Sequence, residues 1–255
     1  MATSITFGIQ KGGVGKTTTA GITAWLLARK HRVLAVDMDP QGNLAQVLAG
    51  KTSEAFEGRT VLEAMKDGKV ERYLYRITDN LKLLPSGDAL LGFEGPPETL
   101  RNLLKPVQAD YEFIVIDQPP ALGACTLNAL GASDAAVILC QTEPMSFNAV
   151  PKYLDTLFIV KNRLHHKLFL AGILLVMLDA RSVLERAIVE KAREQYGPIL
   201  LTPIVKRRSR IKEFSISGIQ ERTVEDRLAL RPFREALREV LIKALGKEEA
   251  ENIKY

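Results

Sequence analysis

Short apolar runs recur along this chain, and stretches long enough for a helix separate them. The runs are Thr3–Ile9, Arg32–Asp37, Leu81–Pro85, Tyr111–Asp117, Ala135–Cys140 and Leu168–Leu178. They are continuous rather than alternating, which suits strands covered on both faces. Gly15–Lys30 predicts a helix, with Ile22, Trp25, Leu26 and Arg29 at helical spacing. Trp25 reads as a packing residue of that helix. Ser146–Arg163 predicts a second helix with Pro151 near its start. Thr60–Lys66 and Glu98–Lys105 predict shorter ones. Strand and helix patterns alternate from Thr3 to about Ile204. The expected fold class is therefore α/β, a doubly wound, mostly parallel sheet flanked by helices. Lys51–Asp79 is more polar and predicts little else. Arg231–Leu245 predicts an amphipathic helix whose stripe is Phe233, Leu237, Val240, Leu241, Ala244 and Leu245.

Composition narrows this picture only a little. The 255 residues are 46% hydrophobic and 25% charged, which suits one α/β domain or at most two small ones. Net charge is +5, which permits an anionic partner without requiring one. Cys125 and Cys140 lie too far apart for a CxxC pattern. With no signal-like N-terminus, a reduced, cytoplasmic setting is expected. No apolar run approaches a membrane span in length. His31, His165 and His166 show no ligand spacing and read as surface residues.

The chemistry begins where the first run ends, at Gln10-Lys11-Gly12-Gly13-Val14-Gly15-Lys16-Thr17-Thr18. A strand, a glycine-rich turn and a helix start make a phosphate cradle. Its backbone N–H groups converge on an anion, and the helix N-terminus adds positive potential. Lys16 can reach β- and γ-phosphates, and the Thr17 hydroxyl can ligate Mg²⁺. Gln10 stands where the strict P-loop pattern has its first glycine, and Lys11 is an additional lysine. Two further runs end in acids. Asp37-Met38-Asp39-Pro40-Gln41-Gly42-Asn43 forms an acidic loop at the carboxyl end of a strand, the edge where doubly wound sheets gather ligands. Tyr111–Asp117 has the form of a Walker B strand, whose Asp supports Mg²⁺ through water.

Lys206–Lys212 carries five basic residues in seven. From Pro203 to Lys243 there are eleven Lys and Arg against six Asp and Glu, so the chain's whole excess of positive charge is local. Such a surface can neutralise nucleic-acid phosphates without reading sequence. No aromatics interleave, so base stacking is not suggested. Composition alone slightly favours a solvated face.

Taken together these motifs resemble the ParA/Soj branch of the ParA–MinD family, the deviant Walker ATPases of DNA partition. The resemblance is carried by Lys11–Thr19, by Asp37–Asn43, and by Phe113–Gly123, where Gln118 stands at a position that is commonly Cys. Thr126–Leu130 and Leu178–Arg181 add to it. It implies a single deviant P-loop NTPase domain over residues 1–255 that uses ATP and Mg²⁺. The nucleotide would contact Lys11, Gly12, Gly13, Val14, Gly15, Lys16, Thr17, Thr18, Lys206 and Arg207. Thr17, Asp39 and Asp117 would serve the metal. Lys11, Lys16 and Asp39 would be catalytic. Lys11 would act across an ATP-induced homodimer, and Asp39 would position the attacking water. Asp37 would support its loop. Arg181, Arg207, Arg208, Arg210 and Lys212, within a basic region around residues 181–212, would face non-specific double-stranded DNA. A ParB-like centromere-binding protein, or another stimulating protein, would accelerate slow hydrolysis during plasmid or chromosome segregation, on the nucleoid. Two alternatives belong to other classes. A MinD-like membrane-cycling ATPase would need a C-terminal amphipathic anchor, which the charged Lys247–Tyr255 end does not resemble. An iron–sulfur carrier would use two cysteines, whereas Cys140 lies within an apolar strand pattern and reads as a buried thiol.

Overall fold

The structure, a computed structural model, describes residues 2–255. Its strands are β1 (Thr3–Gly8), β2 (Val33–Asp37), β3 (Tyr75–Arg76), β4 (Leu81–Leu84), β5 (Phe113–Asp117), β6 (Ala135–Gln141), β7 (Phe169–Leu178) and β8 (Leu200–Lys206). They form one sheet in the order β3-β4-β2-β5-β1-β6-β7-β8. Every pairing is parallel except β3 with β4. This is the expected doubly wound α/β sheet. The helices are α1 (Lys16–Ala28), α2 (Asn43–Ala49), α3 (Val61–Asp67), α4 (Thr99–Leu104), α5 (Ala124–Gly131), α6 (Pro144–Arg163), α7 (Val183–Tyr196), α8 (Ser209–Ser217), α9 (Val224–Leu245) and α10 (Lys247–Asn252).

Burial explains why the strand runs are continuous. Along β2, Val33 and Ala35 join one apolar cluster, while Leu34 and Val36 join another. Along β5, Phe113 and Val115 part from Ile114 and Ile116 in the same way. Successive side chains point to opposite faces, and both faces are covered, so neither set can be polar. Helices α1 and α9 belong to the first cluster, and α3, α4 and α5 to the second. Truncating Leu34 or Ile114 to Ala would cost about 2–5 kcal/mol.

Several details depart from the sequence-based expectation. Helix α9 begins at Val224 rather than Arg231, because the Thr223 hydroxyl and the Asp226 carboxylate cap its first turn reciprocally. Pro232 lies inside the helix, and the apolar stripe runs past it. Phe233, Leu237, Val240 and Leu241 on that stripe are buried. Helix α6 starts at Pro144, so Pro151 falls in its interior rather than near its start. His165 is not a surface residue: it is 5% exposed, under the turn that leads into β7. His31 is half-buried, with Nδ1 2.8 Å from Glu112 and Nε2 3.0 Å from the Lys254 carbonyl. Cys125 and Cys140 are free, buried thiols, as expected. Among the described residues, no helix is long and apolar enough to cross a membrane.

Candidate functional site

The site gathers at the carboxyl edge of the sheet because parallel pairing brings strand ends into register. Asp37 pairs with Asp117 across β2 and β5, and Phe7 pairs with Asp117 across β1 and β5. The acidic loop and the Walker-type strand therefore end beside the glycine-rich loop. Gly15 takes φ 87° and is the N-cap of α1 without any side-chain cap. That conformation costs little only for glycine, and it leaves the first-turn N–H groups of α1 open to an anion.

Each acid has a distinct environment. Asp37 is fully buried, and its carboxylate accepts the backbone N–H of Asp39 at 2.9 Å and of Leu44 at 3.1 Å. It braces the loop. At Gly42, φ is 64° and a Cβ would press on Ser53 and on the Ser86 carbonyl, so this turn closes only on glycine. Asp39 is 8% exposed and accepts the Gln41 N–H at 3.1 Å. Asp117 is fully buried, and among the described residues neither carboxylate oxygen has a hydrogen-bond partner of normal geometry. Burial pushes its carboxyl up to about 7; the neighbouring Thr17 hydroxyl and the Lys16 charge oppose the shift, and the charge on Asp39 adds to it. Burial likewise raises Asp37 well above the ordinary value. A buried carboxylate with two orphaned oxygens is a site short of a cation.

The two lysines of the loop do different things. Lys16 is 6% exposed, and its Nζ donates to the Lys11 carbonyl at 2.7 Å. Burial lowers its pKa, while Asp117 and Asp39 oppose the shift. Lys11 points away and pairs with Glu143, the residue before α6. Thus one lysine turns into the cradle and the other turns out of it, to Glu143. Gly12–Thr18, Asp39, Gln41 and Asn43 line a cavity of about 560 Å³.

A second cavity, about 330 Å³, adjoins the first and shares Gly13, Val14, Gly15, Thr18, Met177 and Ser215 with it. Its far wall carries Lys206, Arg207, Arg208 and Lys212. The backbone N–H of Arg207 donates to the Leu178 carbonyl at 3.0 Å, which sets this segment beside the β7 end and Arg181. The basic residues expected at a DNA face are thus divided. Arg208 and Lys212 line the cavity. The Arg181 side chain is 92% exposed and grips Asp179 through two nitrogens, at 3.1 and 3.2 Å. Arg210 departs most from expectation. Its guanidinium binds the buried Asp226 and Glu213, both at 2.5 Å, and stacks over Phe214 at 5.2 Å. It stabilises the start of α9 and is not presented as a free cation.

Two residues of this region escape sequence reasoning. Met177 is the only non-glycine residue with positive φ among the described residues, at 61°. It stands between the two cavities, but in sequence it is one more member of an apolar run. Glu143 is a lone acid after a strand, and nothing local predicts its pairing with Lys11. Among the described residues, no group of three or more His, Cys, Asp or Glu is placed to hold a metal. A cation here needs phosphate and water oxygens besides Thr17 and the acids, as Mg²⁺ commonly does.

The glycine cradle, the lysine turned into it, and the acids at the ends of β2 and β5 define a P-loop ATPase. Comparison with known proteins agrees. A family model described as an AAA domain matches residues 2–170. The chain is 37% identical to the chromosome partitioning protein ParA of Myxococcus xanthus over 214 residues, 80% of this chain and 75% of that protein. It is 33% identical to the sporulation initiation inhibitor protein Soj of Bacillus subtilis over 219 residues, 82% of this chain and 86% of that one. A solved structure of cobyrinic acid a,c-diamide synthase from Mycobacterium smegmatis, with bound ADP and magnesium, superposes with a TM-score of 0.80 at 28% identity, covering 97% of each chain. The chain belongs to the ParA/Soj family of partition ATPases.

Proposed function

We propose that this protein is an ATP-dependent partition switch that dimerises on ATP–Mg²⁺, holds DNA without sequence preference in that state, and hydrolyses ATP slowly until a partner protein stimulates it. The observation that carries the reading is the division of the two loop lysines. Lys16 lies inside the cradle, where it would bind β- and γ-phosphates. Lys11 turns out of the cradle and, among the described residues, its side chain is paired with Glu143, from which it would be released to reach a facing subunit. A charge supplied across an interface stabilises developing phosphate charge only in the dimer.

The remaining residues take roles on the same basis. The N–H groups of Gly12–Thr18 would surround the phosphates. Thr17 and the orphaned Asp117 fit a Mg²⁺ ion held partly through water, and Asp39 borders the same space. When bound, the ion supplies neutralisation of charge on the phosphate oxygens. Asp39, at the cavity wall, would orient the attacking water. Lys206 and Arg207 would meet the nucleoside end of ATP in the second cavity. Arg181, Arg207, Arg208 and Lys212 would offer phosphate contacts to DNA near that edge. A ParB-like protein is the expected stimulator, plasmid or chromosome DNA the expected cargo, and the nucleoid the expected location. The membrane-cycling alternative would draw on the apolar stripe of α9, and that stripe is packed against β7, β8 and α1.

Size-exclusion of the protein with ATP–Mg²⁺ or ADP–Mg²⁺, followed by gel shift on plain duplex DNA, tests the reading. Dimer and DNA complex are expected with ATP only. Equal DNA binding in both nucleotides would remove the DNA role, and a monomer in ATP would remove the role of Lys11.

A further inference from the structure

At the opposite edge of the sheet, under the amino ends of β1, β6 and β7, lies a cavity of about 420 Å³. Ser4, Asp134 and His165 form its floor, and three cations, Arg101, Lys105 and Lys167, stand around it with one acid, Glu98. The floor is rigid. One oxygen of Asp134 accepts both the Ser4 N–H at 2.9 Å and the Ser4 hydroxyl at 2.6 Å, and the Asp134 N–H returns a bond to Ser4 Oγ at 2.9 Å. The other oxygen, Oδ1, has no hydrogen-bond partner among the described residues and sits 3.9 Å from His165 Nε2.

His165 is 5% exposed, lines the cavity, and makes no ring hydrogen bond among the described residues. Burial, reinforced by the nearby Arg101 charge, holds its pKa below the ordinary value. Its neutral ring therefore has one donor and one acceptor unused. Arg101, Lys105 and Lys167 form no ion pair among the described residues. The His165 ring and three exposed, unpaired cations border one cavity, where a polar ligand would take the place of water as their partner.

We infer that this cavity binds a small phosphate-bearing molecule that also carries hydroxyl groups. The cations suit a phosphate, and Arg101 can meet its oxygens in a bidentate fork. The free Asp134 oxygen and the His165 ring suit hydroxyls, and a bare anion would find that carboxylate repulsive. The site is small, polar and floored, which fits a metabolite rather than a protein segment. It lies at the sheet edge opposite the phosphate cradle, so it would be occupied independently of the bound nucleotide.

The three histidines make the site readable by imidazole NMR. Inorganic phosphate, ribose 5-phosphate and ribose are titrated into the full chain with ADP–Mg²⁺ present in excess. The expected result is a saturable shift of the His165 ring with ribose 5-phosphate, a weaker one with phosphate, none with ribose, and none at His31. The Arg101→Ala/Lys105→Ala variant changes only exposed side chains and should lose affinity by about tenfold or more. The Lys16→Ala variant should keep the His165 response even if its nucleotide cradle fails, which separates this site from the proposed ATPase. No saturable His165 shift, an undiminished shift in the Arg101→Ala/Lys105→Ala variant, or loss of the shift in Lys16→Ala would each overturn the assignment.

Discussion

Replacing Gln118 by Leu tests how the Walker-type strand is held. Gln118 is fully buried next to Asp117. Its Oε1 accepts the Tyr153 hydroxyl at 2.6 Å, and its Nε2 donates to Thr6 Oγ1 at 2.7 Å. Thr6 in turn donates to the Ile116 carbonyl at 2.8 Å. One side chain thus ties β5 to both β1 and α6. Space is tight: a Cβ at Gly8 would run into the Tyr153 hydroxyl. Leu at 118 strands the Tyr153 hydroxyl, at about 1–3 kcal/mol, and removes one bond from Thr6, at about 1 kcal/mol. The sum is about 2–4 kcal/mol of lost stability. Tyr153→Phe alone should cost about 1–2 kcal/mol, because it leaves the Gln118 carbonyl oxygen unpaired. Made in the Gln118→Leu background, the same change should be neutral or stabilising, because it removes the stranded hydroxyl. Urea unfolding of the four proteins without nucleotide measures the cycle. Additivity within about 0.5 kcal/mol would refute the network, since contacting residues in one network must couple.

Asp39→Ala should keep ATP binding and ATP-dependent dimerisation but lower turnover about 100-fold or more; phosphate release under single-turnover conditions checks it. Glu143→Gln releases Lys11 from its partner in the same chain, so dimerisation in ATP should begin at lower protein concentration, measured by analytical ultracentrifugation. Arg208→Ala/Lys212→Ala should flatten the salt dependence of DNA binding, with the slope falling by about 0.9 for each DNA phosphate no longer neutralised. Arg210→Ala should instead lower the melting temperature, since it leaves Asp226 without its guanidinium. Acid stability should also depend on Asp226. Burial opposes its charge, but the N–H groups of Thr223 and Arg222 together with Arg210 hold its carboxyl well below the ordinary 3.8. A carboxyl depressed on folding contributes stability above its ordinary value and loses it as pH falls. Asp226→Asn should therefore be less stable at neutral pH, and its melting temperature should fall less on acidification than that of the parent.

What the sequence revealed divides along a physical line. The cradle was legible because its determinants are local: glycines with lysine and threonine between a strand and a helix. Asp37, Asp39 and Asp117 were legible because a parallel sheet places all strand ends on one edge. Pairings between distant residues were not. Glu143 with Lys11, Gln118 with Tyr153 and Ser4 with Asp134 join side chains whose neighbours in sequence say nothing of the partner. His165 read as a surface residue because the residues that surround it, among them Ser4, Arg101 and Asp134, lie far away along the chain. The start of α9 was missed because Pro232 looks like a first-turn residue, whereas the cap is Thr223 with Asp226.

The basic run shows most clearly what three dimensions add. As a string, Lys206–Lys212 is one patch. In the fold it separates: Lys206 ends β8, Arg208 is the extended N-cap of α8, and only Arg210 and Lys212 lie in the helix. Ile211, Lys212 and Ser215 share one helix face and line the second cavity with Arg208. Arg210 falls roughly 200° around the helix from Lys212 at about 100° per residue, and it turns to Asp226 and Phe214. The cations left free are therefore those that border the cavity continuous with the cradle. A nucleotide filling that cavity would press on the same helix face that carries the proposed DNA contacts. Among the cations at α8 and its N-cap, Arg208 and Lys212 border that cavity and Arg210 does not. Arg208 and Lys212, rather than Arg210, are then the residues through which ATP and DNA would be coupled.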